Sequence, residues 1–287
     1  MPSFDFSDWV GRSERQSDQL GVTPARALAA TLDREESYEC GDVLPGLWHW
    51  LYFLPLHRQS VLGVDGHAKR GGFLPPVPLP RRMWAGGQLK WLAPLHLGEI
   101  VERVSTIKSV THKSGKTGDL VFVAVEHAIS NRAGLAMTEV HDIVYRDNPP
   151  ASAHGAPMAP GEPAPTDADF ERSLTPDDVL LFRYSALTFN GHRIHYDRRY
   201  VTTEEGYPGL VVHGPLIATL LVDLLRRQPG VGPLSAFDFR AIRPTFDGHA
   251  MKVCGKAEGN GQFSLWAQDH QGFVTMKANA QLAGSIS

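Results

Sequence analysis

Residues 184–197 read Tyr-Ser-Ala-Leu-Thr-Phe-Asn-Gly-His-Arg-Ile-His-Tyr-Asp, and residues 210–216 read Leu-Val-Val-His-Gly-Pro-Leu. A buried structural segment repeats apolar side chains at the period of a helix or a strand. Here Asn190, His192, Arg193, His195 and Asp197 crowd together instead, which is how local rules are broken at sites. Imidazole titrates near neutral pH, so His195 is the candidate general base or acid. Gly214 stands where a loop gives way to a helix; its backbone amide there can face outward with the helix dipole behind it, as a donor for a developing oxyanion.

That helix is predicted at about Pro215–Arg227, with Leu216, Ile217, Leu220, Leu221, Leu224 and Leu225 on one face. Pro near its first turn and Arg226-Arg227 in its last suit the ends of a helix. Two segments flanking a Pro/Ala-rich run share one frame: Leu89 to Glu99 and Phe239 to His249 each place a basic residue, then Pro, then Gly four positions on. Strand-like segments follow each. They are Ile100–His112, Leu120–Asn131 and Ala136–Arg146 in the first half, and Met251–Ala257, Gln262–Asp269 and Phe273–Leu282 in the second. Gly-rich breaks between them read as antiparallel hairpins. A duplicated α+β unit accounts for this repetition.

The domain reading is therefore 1–146 for a first unit, 147–169 for an extended linker and 170–287 for a second unit that carries the site. Gly71 to Gly87, the counterpart of the helix position, is too rich in Pro and Gly to form one, so the first unit is expected to be degenerate. Two further helix-like segments are expected within Phe4 to Asp33.

At 287 residues, 42% hydrophobic and 21% charged, the composition is that of a globular protein. No apolar run approaches the roughly 20 residues that span a bilayer, and the N-terminus lacks the pattern of a secretory signal; the expectation is a cytoplasmic protein without membrane partners. A net charge of −3 and scattered basic residues argue against nucleic acid. Cys40 and Cys254 form neither a disulfide framework nor a cysteine metal site. His192, His195 and His213 are possible metal ligands, but the three-residue spacing of His192 and His195 and the missing Cys or Glu leave no expected metal and no cofactor. Lys113 to Gly118 resembles a P-loop only at its end, and no Gly-x-Ser-x-Gly elbow occurs.

Ser185–Asp197 and Val211–Leu216 resemble the hydratase motif of the MaoC-like hot-dog hydratases and dehydratases. The variant Thr-Phe-Asn-x-His-x-Ile-His-Tyr-Asp, with Tyr207 to Leu216 and Gly71 to Gly87, resembles the branch of 3-methylfumaryl-CoA (mesaconyl-CoA) and itaconyl-CoA hydratases and mitochondrial-type 3-hydroxyacyl-thioester dehydratases. That resemblance implies an α+β double hot-dog: two curved antiparallel sheets, one well-formed central helix in the C-terminal half, and a degenerate N-terminal half. It implies reversible addition of water to an enoyl thioester of coenzyme A, with His195 activating water and the Gly214 amide binding the thioester oxygen. The family's catalytic aspartate is Asn190 here, which can orient water but not take its proton. His192 or Asp197 is then a candidate second acid/base group. Arg193 and Arg183 are candidates for a substrate carboxylate or the coenzyme phosphates, with Tyr196 and His213 as further binding residues. A branched dicarboxylic substrate is expected, giving citramalyl-CoA; a fatty acyl dehydratase, a thioesterase and a non-catalytic acyl-CoA binder are the rivals. A monomer and a homodimer both suit the chain.

Overall fold

The computed structural model describes residues 5–115, 118–148 and 158–284. Its first half contains β1 (Ser13–Gln19), α1 (Val22–Thr31), β2 (Arg81–Trp91), β3 (Ile100–Gly115), β4 (Gly118–Asn131) and β5 (Gly134–Arg146). The second contains β6 (Phe170–Leu174), α2 (Asp178–Leu187), α3 (Arg198–Thr203), α4 (Gly214–Arg226), β7 (Leu234–Ala241), β8 (Met251–Gly259), β9 (Gln262–Gln268) and β10 (Val274–Leu282). Residues 149–157, part of the expected linker's Pro/Ala-rich run, lie outside the described residues, as do Lys116 and Thr117 of the P-loop-like run.

The ten strands form one sheet in the order β1-β3-β4-β5-β2-β7-β10-β9-β8-β6. Read inward from either edge, the two halves have the same order of strands. The two expected sheets are thus hydrogen-bonded edge to edge, through antiparallel pairing of β2 with β7, Leu89 opposite Phe237 and Gly86 opposite Arg240. Glycine allows this contact: a Cβ at Gly86 would lie 2.5 Å from the Phe239 carbonyl oxygen. Joining the halves in this way leaves, among the described residues, β1 and β6 as the edges to protect.

The recurring Pro and Gly frame makes the same local contacts twice. Leu97 N–H donates to the Asp42 carbonyl and Asp247 N–H to that of Leu210, while Gly98 and Gly248 both take positive φ, 93° and 75°. Along β4, Val121, Val123, Val125, His127 and Ile129 are buried in alternation, the period of a strand with one covered face.

Helix α4 is buried all round rather than along one stripe, from Leu216 to Leu225, including Thr219 and Asp223. It lies on β8, β9 and β10, and residues near 32–46 cover its other side: Arg34 pairs with Asp223 at 2.6 Å and Arg227 reaches the Leu32 carbonyl at 2.7 Å. Gly71 to Gly87, the counterpart expected in the first half, forms no helix: residues 71–80 are irregular and β2 begins at Arg81. Within Phe4 to Asp33 a 3-10 turn at Ser7–Trp9 and the helix α1 flank the strand Ser13–Gln19, which is paired along β3. Its side chains are mostly exposed, so pairing of its backbone decided its conformation rather than local propensity. Among the described residues no helix is long and apolar enough to cross a membrane.

Candidate active site

The loop after α2 is shaped by its own side chains. Thr188 Oγ1 donates to the Tyr184 carbonyl at 2.7 Å, Phe189 takes a left-handed conformation (φ 49°), and Asn190 Oδ1 accepts the His192 backbone N–H at 3.0 Å. The Asn190 oxygen is thus spent on the turn that it closes. A 3-10 turn, Arg193–His195, follows. Asp197 then caps α3, its Oδ1 accepting from Tyr200 N–H at 2.9 Å, while Oδ2 accepts from Arg193 at 2.7 and 3.0 Å.

These turns bring His195 beneath the N-terminus of α4. His195 is 7% exposed, and its Nδ1 lies 2.7 Å from the Val211 carbonyl oxygen. A carbonyl only accepts, so Nδ1 carries the proton and Nε2 keeps a free lone pair. Burial pushes the His195 pKa down to about 4, against the opposing pull of the Val211 hydrogen bond. His213, the residue that precedes α4, stacks on His195 with ring centroids 3.7 Å apart and planes at 17°. It is fully buried, bonds Ser185 Oγ through Nε2 at 2.8 Å, and is held neutral by burial, then by His195 and His192. Gly214 opens the helix, where backbone amides have no intrahelical acceptor, and a Cβ there would meet nothing within 4 Å.

On its other side His195 meets His192 edge-on, 5.4 Å between centroids, and His192 lies 4.0 Å from His67 of the first half. Four imidazoles thus stand in a row, and the row ends at Asp65: His67 Nδ1 to Asp65 Oδ2 is 3.0 Å. The loop that carries them is seated on the motif itself. Arg193 N–H donates to the Asp65 carbonyl at 2.9 Å, the Arg193 guanidinium donates to the Val64 carbonyl at 3.0 Å, and Gly66 (φ 88°) packs on the Gly191 carbonyl so closely that a Cβ would collide with it. Burial alone would raise the Asp65 carboxyl, but the His67 hydrogen bond and charge hold it well below the usual range. Burial and then Arg82 and Arg70 push His67 down, with Asp65 opposing.

Asp65 and His67 open onto a cavity of about 1190 Å³ lined by six cationic side chains, Lys69, Arg70, Arg81, Arg82, Arg193 and Arg199, against four acidic ones. Arg81 and Arg193 are ion-paired, to Glu205 and Asp197. Of the residues singled out in the sequence, the structure therefore brings His192, His195, His213 and Gly214 together and puts Asn190, Arg193 and Asp197 into the supporting turn. Tyr196 is half exposed and donates to the Gly191 carbonyl at 2.9 Å. Arg183 is exposed on α2 and does not line the cavity. Asp65 and His67 escaped the sequence reading; the only signal was an acid and a histidine two apart within Gly63-Val64-Asp65-Gly66-His67.

His192, His195 and His213 do not converge on one point, since His195 Nδ1 and His213 Nε2 are turned to Val211 and Ser185. Asp65, His67 and His192 do offer one donor atom each within 4.8 Å of one another. The first two of these are already joined by a hydrogen bond, with Arg82 and Arg70 nearby.

Comparison with known proteins places the geometry in a group. The profile of a family described as hydroxyacyl-thioester dehydratase type 2 matches residues 47–247. The mesaconyl-C(4)-CoA hydratase of Chloroflexus aurantiacus is 44% identical over 99% of this chain and 100% of that protein. A structure described as a MaoC-like dehydratase superposes with a TM-score of 0.70 at 15% identity, over 96% of this chain and 98% of that one. A Mycobacterium tuberculosis protein described as having a double hotdog fold does so with a TM-score of 0.57 at 12% identity, over 94% and 95%. The fold is the double hot-dog expected from the motif.

Proposed function

Since the chain belongs to the hydroxyacyl-thioester dehydratase type 2 family and is a hydro-lyase of the hydratase and dehydratase kind, we propose that it hydrates a short, branched, dicarboxylic enoyl-CoA of the mesaconyl-C4 type, giving citramalyl-CoA. The observation that carries this reading is the free Nε2 of His195, fixed by Val211 beside the first turn of α4. Its neutral lone pair is available to take a proton from water as the oxygen bonds the β-carbon. The displaced π electrons move toward the thioester oxygen, where the Gly214 amide and the α4 dipole stabilise the charge. Return of the proton to the α-carbon restores the carbonyl, so one water is consumed and one double bond saturated.

The cationic surplus of the cavity suits the phosphates of coenzyme A. Arg193 is committed to Asp197 and Val64 and joins the two loops, so we assign the phosphates to Lys69, Arg82 and Arg199. Asn190 shapes the loop and His213 packs behind the base. The second half carries His195 and Gly214, and residues of both halves line the cavity beside them, among them Asp65 and His67 of the first and Arg193 and Arg199 of the second. We place the reaction in the cytoplasm.

Mass spectrometry of products from mesaconyl-C4-, itaconyl-, crotonyl- and long-chain 2-enoyl-CoA tests this, with His195→Ala as control. Gain of one water on the C5 dicarboxylic thioesters, absent in the control, is expected. Preference for the long chain would make the protein a fatty acyl dehydratase, and release of free coenzyme A a thioesterase.

A further inference from the structure

Proton transfer in this site starts at His195, yet among the described residues of the second half no carboxylate is hydrogen-bonded to it. Asn190 has an amide where the motif's acid would stand, and its oxygen holds the His192 amide. Asp197 has both oxygens occupied, by Tyr200 N–H and by Arg193. Glu205 is paired with Arg81. Among the described residues, the one carboxylate hydrogen-bonded to an imidazole of the row is Asp65, from the other half of the chain.

Its geometry is that of a built pair. A carboxylate accepts, so His67 carries its proton on Nδ1 and keeps Nε2 free, the same tautomer as His195. The backbone N–H of His67 also donates to Asp65 Oδ1, at 3.1 Å, and Gly63 N–H closes the loop on the His67 carbonyl at 2.7 Å. The loop is fixed on the motif by Arg193 and by the contact of Gly66 with Gly191. His67 lines the cavity, and His192 stands between it and His195.

We propose that Asp65 and His67 form the second proton-transfer pair of the hydratase site, with His67 delivering the proton to the α-carbon and Asp65 acting as the positioning residue that fixes its tautomer. This rests on the hydratase reading above. His195 Nε2 takes a proton from water as the C–O bond forms; the proton passes by way of His192 to His67; His67 Nε2 gives it to the α-carbon as the enolate electron pair forms the C–H bond. His195 and His67 end as they began, His192 returns to its neutral form having given up one proton for the one it took, and Asp65 stabilises the charge while it resides on His67. The fold thus makes the two halves interdependent, since the loop of the degenerate half completes the chemistry of the other.

The test uses the full chain and the thioester that the wild type hydrates fastest. Asp65→Asn keeps shape and loses charge; Asp65→Asn/Asn190→Asp moves the carboxylate to the motif's own loop. We expect Asp65→Asn to lower kcat by roughly 100-fold with KM little changed and melting unaltered, His67→Gln to match it, and the double variant to recover at least part of the lost kcat. A purely structural carboxylate would not be replaced from another loop. If Asp65→Asn melts early, His67→Gln decides by the same criterion. A wild-type kcat in the deciding variant overturns the proposal and leaves the hydratase reading standing. Stoichiometric divalent metal whose removal by chelator abolishes turnover also overturns it, assigning the three side chains to an ion. Wild-type chain silent on every thioester overturns both.

Discussion

His195 Nδ1 and the Val211 carbonyl oxygen lie 2.7 Å apart, and that contact decides which nitrogen of His195 can act as a base. The carbonyl holds the ring from the segment that leads into α4, so the imidazole and the helix N-terminus are set by one short stretch of chain. Removing the ring should lower kcat by about 10²–10⁴-fold while the fold survives, since His195→Ala leaves the Ser185–His213 bond in place. Product mass and circular dichroism on the same sample check this. Unchanged turnover would remove His195 from the mechanism.

Acid should destabilise the protein through the imidazole row. In the folded chain burial keeps His195 and His213 neutral, His195 down to about 4, whereas an unfolded histidine takes up its proton near pH 6.5. Below that value the unfolded chain binds more protons, so stability is full above it and falls as pH falls. His195 alone should cost about 3 kcal/mol between roughly pH 7 and pH 4. Thermal melts across this range should show a shallower decline for His195→Gln than for the wild type; parallel curves would contradict the assignment.

Gly66→Ala should be costly although the residue is far from α4 in sequence. The added Cβ meets the Gly191 carbonyl and must adopt φ near 88°, so a loss of about 1–3 kcal/mol is expected. Because this contact seats Asp65 and His67, kcat should fall together with the melting temperature. Gly72→Ala, whose Cβ meets nothing, serves as the control and should leave both unchanged.

Lys69 and Arg199 are exposed on the rim of the cavity. Replacing both with Ala should raise KM for a coenzyme A thioester by roughly 3–10-fold and spare kcat. The wild-type KM should also climb with added salt, as screened charges lose their hold on phosphate. A KM indifferent to salt and to both substitutions would place the phosphates elsewhere.

Asp223 offers a test of the scaffold alone. It is 1% exposed inside α4 and meets Arg34, Arg172 and Arg227 at 2.6, 3.1 and 2.7 Å. Asp223→Ala leaves three guanidinium groups facing one another and should destabilise by about 3–5 kcal/mol. Denaturant midpoints measure the loss, with turnover per folded molecule retained.

Much of this was legible from local pattern. The apolar spacing of α4 and the glycine breaks between strands mark elements whose conformation their own residues favour, and the shared Pro and Gly frame marks contacts that the fold makes twice. Three elements were not legible for a common reason. Ser13–Gln19 has no apolar alternation and is a strand because β3 offers it an edge. Helix α2 buries Leu181 and Tyr184 but exposes Val179 and Phe182, so no stripe betrays it. Trp48 to Leu51 form a 3-10 turn that buries Trp48, His49 and Leu51 without the spacing of a regular helix.

The sequence by itself determined the family, the duplicated α+β plan, and the clustering of His192, His195, His213 and Gly214, because all of these depend on residues close along the chain. Only the tertiary structure decided that both halves share one sheet, which nitrogen of His195 is free, and that Asp65 and His67 stand at the end of the row. Those outcomes depend on contacts between segments far apart in sequence, the β2 and β7 edges and the Gly66 and Gly191 backbones, and no local propensity encodes a meeting of two loops.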